Sequence, residues 1–182
     1  MLKLVHALDI DFISVVNYYN SFGNKGSDWN CYAVTKVRNG YQEYFNYVKT
    51  YDPNLYFLID EQNPNYIIGF GKIIDSKILN FHLDYLNTGN ISYGIRPEER
   101  KKGYGCILLK LLLIECESLG MSEVCISALK ENTASNKIIL DNKGKLEKEF
   151  FDEDSGKYGL KYWIKLHPKI TNKILRLIKG EY

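Results

Sequence analysis

The sequence predicts an α/β (α+β) protein that combines a mixed sheet with helices. The chain has 182 residues, of which 45% are hydrophobic and 25% charged, and this suits one globular domain with a sizeable core. Its apolar residues recur at helical spacing in some segments and as short β-rich runs in others. At residues 91–119 an apolar strand runs into a basic, glycine-punctuated loop and then an apolar helix, which is typical of ligand-binding α/β sheets.

The N-terminal part predicts one strand followed by two helices. Residues 2–5 form the strand, and Asp9 is predicted to cap the first helix, which ends at Gly23. The apolar face of that helix consists of Phe12, Val15, Val16, Tyr19 and Phe22. A second helix ends before Pro53. Its apolar face consists of Tyr41, Tyr44, Phe45, Val48 and Tyr51.

The middle of the chain changes to a strand pattern. Residues 55–60 and 66–75 predict a hairpin, because Asn and Pro at residues 63–65 provide turn chemistry between them. Residues 77–89 give no clear pattern, and residues 91–95 predict a further strand.

The C-terminal half predicts two helices and three strands. In order, these are a helix at 105–119, a strand at 123–128, a helix at 132–143 and strands at 145–151 and 158–166. Gly120 and Gly144 end the two helices, and Asn132 or Thr133 caps the second one. The complete order is β-α-α-β-β-β-α-β-α-β-β. The strands that flank the leucine-rich helix should be parallel, with a right-handed crossover.

The loop at residues 100–105 has the composition of an anion site. The N–H groups at a helix N-terminus lack helical acceptors, and the helix dipole adds positive potential there. Arg100, Lys101 and Lys102 add charge, while Gly103 and Gly105 remove side chains that would keep phosphate oxygens away. A solvated turn before a helix is the alternative interpretation.

Two common phosphate loops are excluded by the sequence. The chain has no Gly-x-x-x-x-Gly-Lys-Ser/Thr motif. The dinucleotide-binding pattern also fails, because Leu108 stands where its third glycine would be.

Composition limits the compartment and the partners. The formal net charge of +2 gives no reason to expect a nucleic acid partner. The cysteines form no Cys-x-x-Cys pair, so we expect free, buried thiols in a reducing cytoplasm and no metal site. They are Cys31, Cys106, Cys116 and Cys125. The sequence predicts neither a signal peptide nor an apolar run long enough to span a membrane.

The order of elements and the loop together resemble the GNAT superfamily of N-acetyltransferases. The family signature, Arg/Gln-x-x-Gly-x-Gly/Ala, matches Arg100-Lys101-Lys102-Gly103-Tyr104-Gly105. The resemblance extends over residues 67–166, where a strand at 124–128 and an Asn132-led helix follow the signature. It implies a central sheet with a splayed parallel strand pair and helices on both faces. Residues 1–166 would form the acetyltransferase domain, with residues 167–182 as a tail of the same domain.

The resemblance implies that acetyl-CoA is the co-substrate. The signature loop would bind its pyrophosphate, the strand at 93–95 would pair with its pantetheine arm, and the Asn132-led helix would line the other side of the cleft. The implied residues are Tyr93, Gly94, Ile95, Arg100, Lys101, Lys102, Gly103, Tyr104, Gly105, Asn132, Ser135 and Asn136. For Asn132, a simple N-cap is the alternative.

The implied reaction is direct attack on the thioester by a primary amine of a small molecule or a protein. The catalytic residues stay unassigned. Leu140 occupies the position of the family's frequent tyrosine, and Gly89 and Asn90 occupy that of its frequent glutamate. Tyr93, His82 and Asp84 are weak candidates. A non-catalytic acyl-CoA-binding or regulatory module is therefore the alternative function.

Two further features admit more than one interpretation. Aromatic residues near the expected acceptor side could hold an amine by cation–π contact or simply pack. They are Tyr41, Tyr44, Tyr47, Tyr85, Tyr162 and Trp163.

Residues 167–182 predict a basic amphipathic helix, which would pack on the domain or on a second copy in a homodimer, with membrane-surface binding as a further alternative.

Overall fold

A computed structural model describes residues 1–23, 36–74, 89–153 and 155–166 of the chain. The chain divides into two compact units, Met1–Lys72 with Tyr93–Leu108 and Ile73–Ser92 with Leu109–Tyr182. The assignment of residues 1–166 to a single domain stays a prediction. The predicted tail at 167–182 lies outside the described residues. So do Cys31, His82, Asp84 and Tyr85.

The first unit contains most of an antiparallel sheet with the strand order β1-β2-β3-β4, of which Ile73, Ile91 and Ser92 belong to the second unit. Its strands are β1 (Leu2–His6), β2 (Leu55–Asp60), β3 (Asn63–Ile73) and β4 (Ile91–Ile95). Strand β2 pairs antiparallel with both β1 and β3, so the predicted hairpin is confirmed.

The turn of that hairpin differs from the predicted one. Residues 63–65 belong to β3, and the turn consists of Glu61 and Gln62, because Asp60 pairs with Asn63. The Asp60 carboxylate accepts a hydrogen bond from the Gln62 backbone N–H at 3.1 Å. An acidic side chain thus supplies the turn chemistry that the sequence suggested for Asn and Pro.

Helices α1 (Phe12–Asn20) and α2 (Tyr41–Tyr51) complete the first unit. The cap of α1 is Asp11 rather than the predicted Asp9. Asp11 lies directly before the helix, and its carboxylate accepts the Ser14 N–H at 3.0 Å. The helices and the sheet share one apolar core. Its buried members include Val15, Tyr18, Tyr19, Tyr44, Val48, Leu55, Phe57, Ile59, Ile67 and Phe70.

The second unit contains an antiparallel sheet with the order β5-β7-β6. Its strands are β5 (Glu123–Leu129), β6 (Lys145–Asp152) and β7 (Lys157–Lys165). Helix α3 (Tyr104–Ser118) starts in the first unit and continues into the second, and α4 (Thr133–Asp141) belongs to the second. The predicted class and order of elements are confirmed.

Strands β4 and β5 share no parallel ladder among the described residues, and their parallel orientation stays a prediction. The two strands belong to different sheets, and the isolated bridge between Gly89 and Ile126 is antiparallel. Next to that bridge, the Asn90 N–H donates to the Cys125 carbonyl (2.6 Å) and the Asn90 Oδ1 accepts the Cys125 N–H (2.8 Å). One residue thus occupies both backbone groups of Cys125. A splayed strand pair stays a prediction.

Three of the cysteines lie in described parts of the chain, and all three are free thiols. Cys116 and Cys125 are buried, as expected, whereas Cys106 is partly exposed. Burial raises the pKa of Cys116 to about 12 and that of Cys125 to about 11, so both thiols are protonated at neutral pH.

Neither a metal cluster nor a membrane-spanning helix occurs in the same parts of the chain. In the described ranges no group of three or more His, Cys, Asp or Glu side chains could hold a metal ion. No helix within these ranges has the length and apolar character needed to cross a membrane.

Candidate functional site

The signature loop joins β4 to α3 through a short turn with unusual backbone angles. A 3-10 turn at Pro97–Glu99 leads into Arg100, and α3 starts at Tyr104. Lys101 has a φ of 64° and Gly103 a φ of 86°, both in the left-handed region. A non-glycine residue in this region costs energy, and alternation of left-handed residues turns successive N–H groups toward one side. Lys101 and Gly103 thus have the left-handed backbone that many backbone anion sites use, and anion binding by this loop stays a prediction.

The start of α3 provides donors for such a site. The first hydrogen bonds at this end are donated by the N–H groups of Cys106 and Ile107, and both go to the Gly103 carbonyl. The N–H groups of Tyr104 and Gly105 precede them and have no helical acceptor in an α-helix. Gly103 faces open space, since a Cβ placed there meets no atom within 4 Å. The open Cβ position of Gly103 satisfies one requirement for close approach of a phosphate to these donors.

Two of the three basic side chains of the loop, those of Arg100 and Lys102, are held by neighbours in the first unit. The Arg100 Nε donates to the Ile95 carbonyl at 3.2 Å. The Lys102 ammonium donates to the Glu99 carboxylate at 2.9 Å. This hydrogen bond lowers the pKa of Glu99 and raises the pKa of Lys102, so both groups are charged at neutral pH. The sequence interpretation missed Glu99, although an opposite charge three residues before Lys102 is a readable signal.

Strand β4 lies at an edge of its sheet, as pairing with a pantetheine arm requires. The Arg96 N–H donates to the Ile68 carbonyl, so the backbone groups of Arg96 and of Gly94 two residues earlier face β3. Backbone groups alternate along a strand, and those of Tyr93 and Ile95 therefore face the opposite edge. Gly94 lies between them, and its carbonyl accepts the Tyr18 hydroxyl at 3.3 Å.

The three residues predicted on the α4 side belong to the second unit. Asn132 is the N-cap of α4, and its Oδ1 accepts the Ser135 N–H at 3.1 Å. The alternative interpretation of Asn132 as a cap is thus confirmed. Asn136 is 8% exposed, donates to the Leu129 carbonyl and accepts the Tyr162 hydroxyl at 3.1 Å. Their contacts with a cofactor stay predictions.

The positions considered for a catalytic acid or base do not yield an assignment. Leu140, at the family's tyrosine position, is 54% exposed, and its side chain has no proton that it could donate to a thiolate. Asn90, near the family's glutamate position, is buried and bonds to backbone groups through its side chain. Tyr93 is partly buried on β4. His82 and Asp84 lie outside the described residues, so the catalytic residues stay unassigned.

The aromatic residues have separate environments. Tyr44 is buried in the core and donates its hydroxyl to the Ala7 carbonyl, which supports the packing interpretation. Tyr41 is exposed, and Tyr47 stacks against Tyr51. In the second unit, Trp163 donates its indole N–H to Glu147, and the buried Tyr162 bonds to Asn136.

The left-handed Lys101 leads to a stability prediction. We expect Lys101→Gly to raise the free energy of unfolding by about 1 kcal/mol, because glycine adopts this conformation without steric cost. The matched control is Lys143→Gly, since Lys143 has a φ of 66° after α4 and should give a similar gain. Denaturant unfolding measures both. A stabilised Lys143→Gly with an unchanged Lys101→Gly would contradict the strained geometry of the loop.

Comparison with known families decides the assignment. A model of the acetyltransferase (GNAT) family matches residues 25–139 of the sequence. The chain belongs to this family. The expected acetyltransferase is thereby confirmed, and the matched region includes β4, the signature loop and α3. A comparison with curated proteins gave no match.

Solved structures of this family share the fold at low sequence identity. The structure of yncA from Salmonella typhimurium, solved with its cofactor acetyl-CoA, is 13% identical, with a TM-score of 0.61 over 91% of this chain and 94% of that one. The spermidine/spermine N-acetyltransferase SpeG from Vibrio cholerae is 14% identical, with a TM-score of 0.65 over 95% of this chain and 98% of that one. A GNAT-family acetyltransferase from Streptococcus pneumoniae is 14% identical, with a TM-score of 0.61 over 92% of this chain and 100% of that one.

Proposed function

We propose that this GNAT acetyltransferase transfers the acetyl group of acetyl-CoA to a primary amine of a small molecule or a protein. The observation that carries the proposal is the left-handed backbone of Lys101 and Gly103 directly before α3, beside the edge strand β4. The acetyl-CoA bound to yncA from Salmonella typhimurium supports the choice of donor.

Recognition of acetyl-CoA would rest mainly on the backbone. The N–H groups of residues 101–105 would bind the pyrophosphate, with charge from Arg100 and Lys102. The backbone of Tyr93 and Ile95 would pair with the pantetheine amides as an added strand, with Gly94 between them. Asn132, Ser135 and Asn136 would line the cofactor from α4.

The transfer would proceed by direct attack. The neutral amine nitrogen forms a bond to the thioester carbonyl carbon, the C–S bond then breaks, and the electron pair leaves with the CoA thiolate. The amine nitrogen loses a proton to solvent, and the thiolate gains one. Most of the rate enhancement would come from holding the amine next to the carbonyl, and a backbone N–H of β4 would stabilise the oxyanion.

The alternative is a module that binds acyl-CoA without catalysis. The exposed Leu140 favours it, because no hydroxyl stands at the position where many members of the family carry a proton donor. A CoA thiolate is nevertheless a tolerable leaving group, so an enzyme without a dedicated acid is chemically consistent.

Two measurements on the full chain separate these functions. Titration calorimetry with acetyl-CoA is expected to show binding in the micromolar range, which corresponds to about −8 kcal/mol. Thiol release with a panel of polyamines, amino sugars, amino acids and N-terminal peptides is expected to reveal at least one acceptor. Binding without turnover across the panel would favour the module, and the absence of binding would contradict both functions.

A further inference from the structure

The Glu99 carboxylate is held on both of its oxygens. Its Oε1 accepts the Tyr66 hydroxyl at 3.0 Å, and its Oε2 accepts the Lys102 ammonium at 2.9 Å. The Glu99 side chain is only 14% exposed, whereas that of Lys102 is 52% exposed. Glu99 is therefore the fixed member of the ion pair, and Lys102 is the member that reaches solvent.

Tyr66 is in turn fixed to the sheet of the first unit. It lies on β3, and the Arg96 guanidinium lies 4.4 Å from the centre of its ring. Arg96 is tied to the same strand, because its backbone N–H donates to the Ile68 carbonyl and its Nε donates to the Ile67 carbonyl, both at 2.8 Å. A continuous series of contacts thus connects β3 with the signature loop.

The negative charge of Glu99 affects how well an anion can bind at the signature loop. A carboxylate close to a phosphate site weakens anion binding by repulsion unless a cation neutralises it. Lysine has three N–H donors, and the Glu99 carboxylate occupies one of them. The other two can reach a second anion. A long, flexible lysine also loses less rotamer entropy on binding when its position is already restricted.

We infer that Glu99, held by Tyr66, is a positioning residue that presents the Lys102 ammonium to the pyrophosphate of acetyl-CoA. This inference rests on the proposed function, since it concerns the same loop. It assigns to Tyr66 and Glu99 a role in phosphate affinity through Lys102, without direct contact between either side chain and the co-substrate.

A double-mutant cycle tests the inference. Tyr66→Phe removes one hydroxyl, Glu99→Gln removes the charge with little change of shape, and Lys102→Met removes the ammonium. We expect each single substitution to raise the Kd for acetyl-CoA roughly 3- to 10-fold, which is the effect of losing one ordinary hydrogen bond. In the Lys102→Met background, Tyr66→Phe should change the Kd less than about 2-fold, because coupled residues are non-additive.

Two probes separate positioning from general support of the fold. Inorganic pyrophosphate competes only for the phosphate site, and its inhibition constant should rise by the same factor as the Kd for acetyl-CoA. S-acetylpantetheine lacks the pyrophosphate, and its binding should stay unchanged in Tyr66→Phe. Tyr51→Phe, at an exposed tyrosine on α2, is the matched control and should leave all three constants unchanged.

The outcomes distinguish the inference from the proposed function. Wild-type binding of acetyl-CoA combined with an unchanged or lower Kd in Tyr66→Phe and Glu99→Gln would overturn the inference alone. The inference alone would also be overturned if Tyr66→Phe weakened S-acetylpantetheine as much as acetyl-CoA, or kept its full effect in Lys102→Met. A wild-type protein that binds no acetyl-CoA would overturn the proposed function and the inference with it.

Discussion

Replacement of Gly103 by glutamate is expected to abolish acetyl-CoA binding while the fold is retained. The new carboxylate would stand at the start of α3, where the pyrophosphate should lie, and would repel it. The site has room for a side chain, because a Cβ at Gly103 meets no atom within 4 Å. We expect a loss of at least about 100-fold in affinity, which corresponds to roughly 2.7 kcal/mol or more.

The left-handed φ of Gly103 requires a control for backbone strain. Gly103→Gln introduces the same strain and nearly the same volume without the charge, so both variants should lose about 1–2 kcal/mol of stability. Calorimetry with acetyl-CoA should show a much smaller loss of affinity in Gly103→Gln than in Gly103→Glu. Equal affinities in the two variants would show that charge at this position does not face a phosphate.

Asn90→Ala is expected to destabilise the fold more than the replacement of a polar residue usually does. Asn90 is 2% exposed, its Nδ2 donates to the Ile74 carbonyl at 3.0 Å, and its Oδ1 accepts the Cys125 N–H. Truncation leaves the buried Cys125 N–H and the half-buried Ile74 carbonyl without these partners. At about 1–3 kcal/mol for each group, we expect a loss of roughly 3 kcal/mol in the free energy of unfolding.

Denaturant unfolding followed by circular dichroism measures this loss. Asn63→Ala is the matched control, because Asn63 is an exposed asparagine on β3 and should change stability by less than about 0.5 kcal/mol. A similar small change in Asn90→Ala would show that the two backbone groups find other partners.

Elements with strong periodicity could be predicted from the sequence, and their junctions could not. The leucine-rich helix, its stop at Gly120 and the β6–β7 hairpin follow from local pattern and turn chemistry. The buried Asn90 side chain bonds to the backbones of Ile74 and Cys125, which no local pattern reveals. The cap of α1 is Asp11 instead of Asp9, because only the position directly before the helix can reach the Ser14 N–H.

The candidate site shows the same division. Gly103 and the basic residues of the loop could be predicted from the sequence, because anion sites at helix N-termini need small residues and positive charge. The left-handed Lys101 could not be read, since lysine is not a residue that usually marks this conformation. Tyr66 lies 33 residues before Glu99 in sequence, and their hydrogen bond arises only from tertiary structure.

A crystal structure of the full chain with acetyl-CoA tests the central claim most directly. We expect the pyrophosphate to lie within hydrogen-bond distance of the backbone N–H groups of residues 101–105, with the Lys102 ammonium shared between Glu99 and a phosphate oxygen. A pyrophosphate bound elsewhere, with the signature loop contacting only solvent, would contradict the proposed phosphate site.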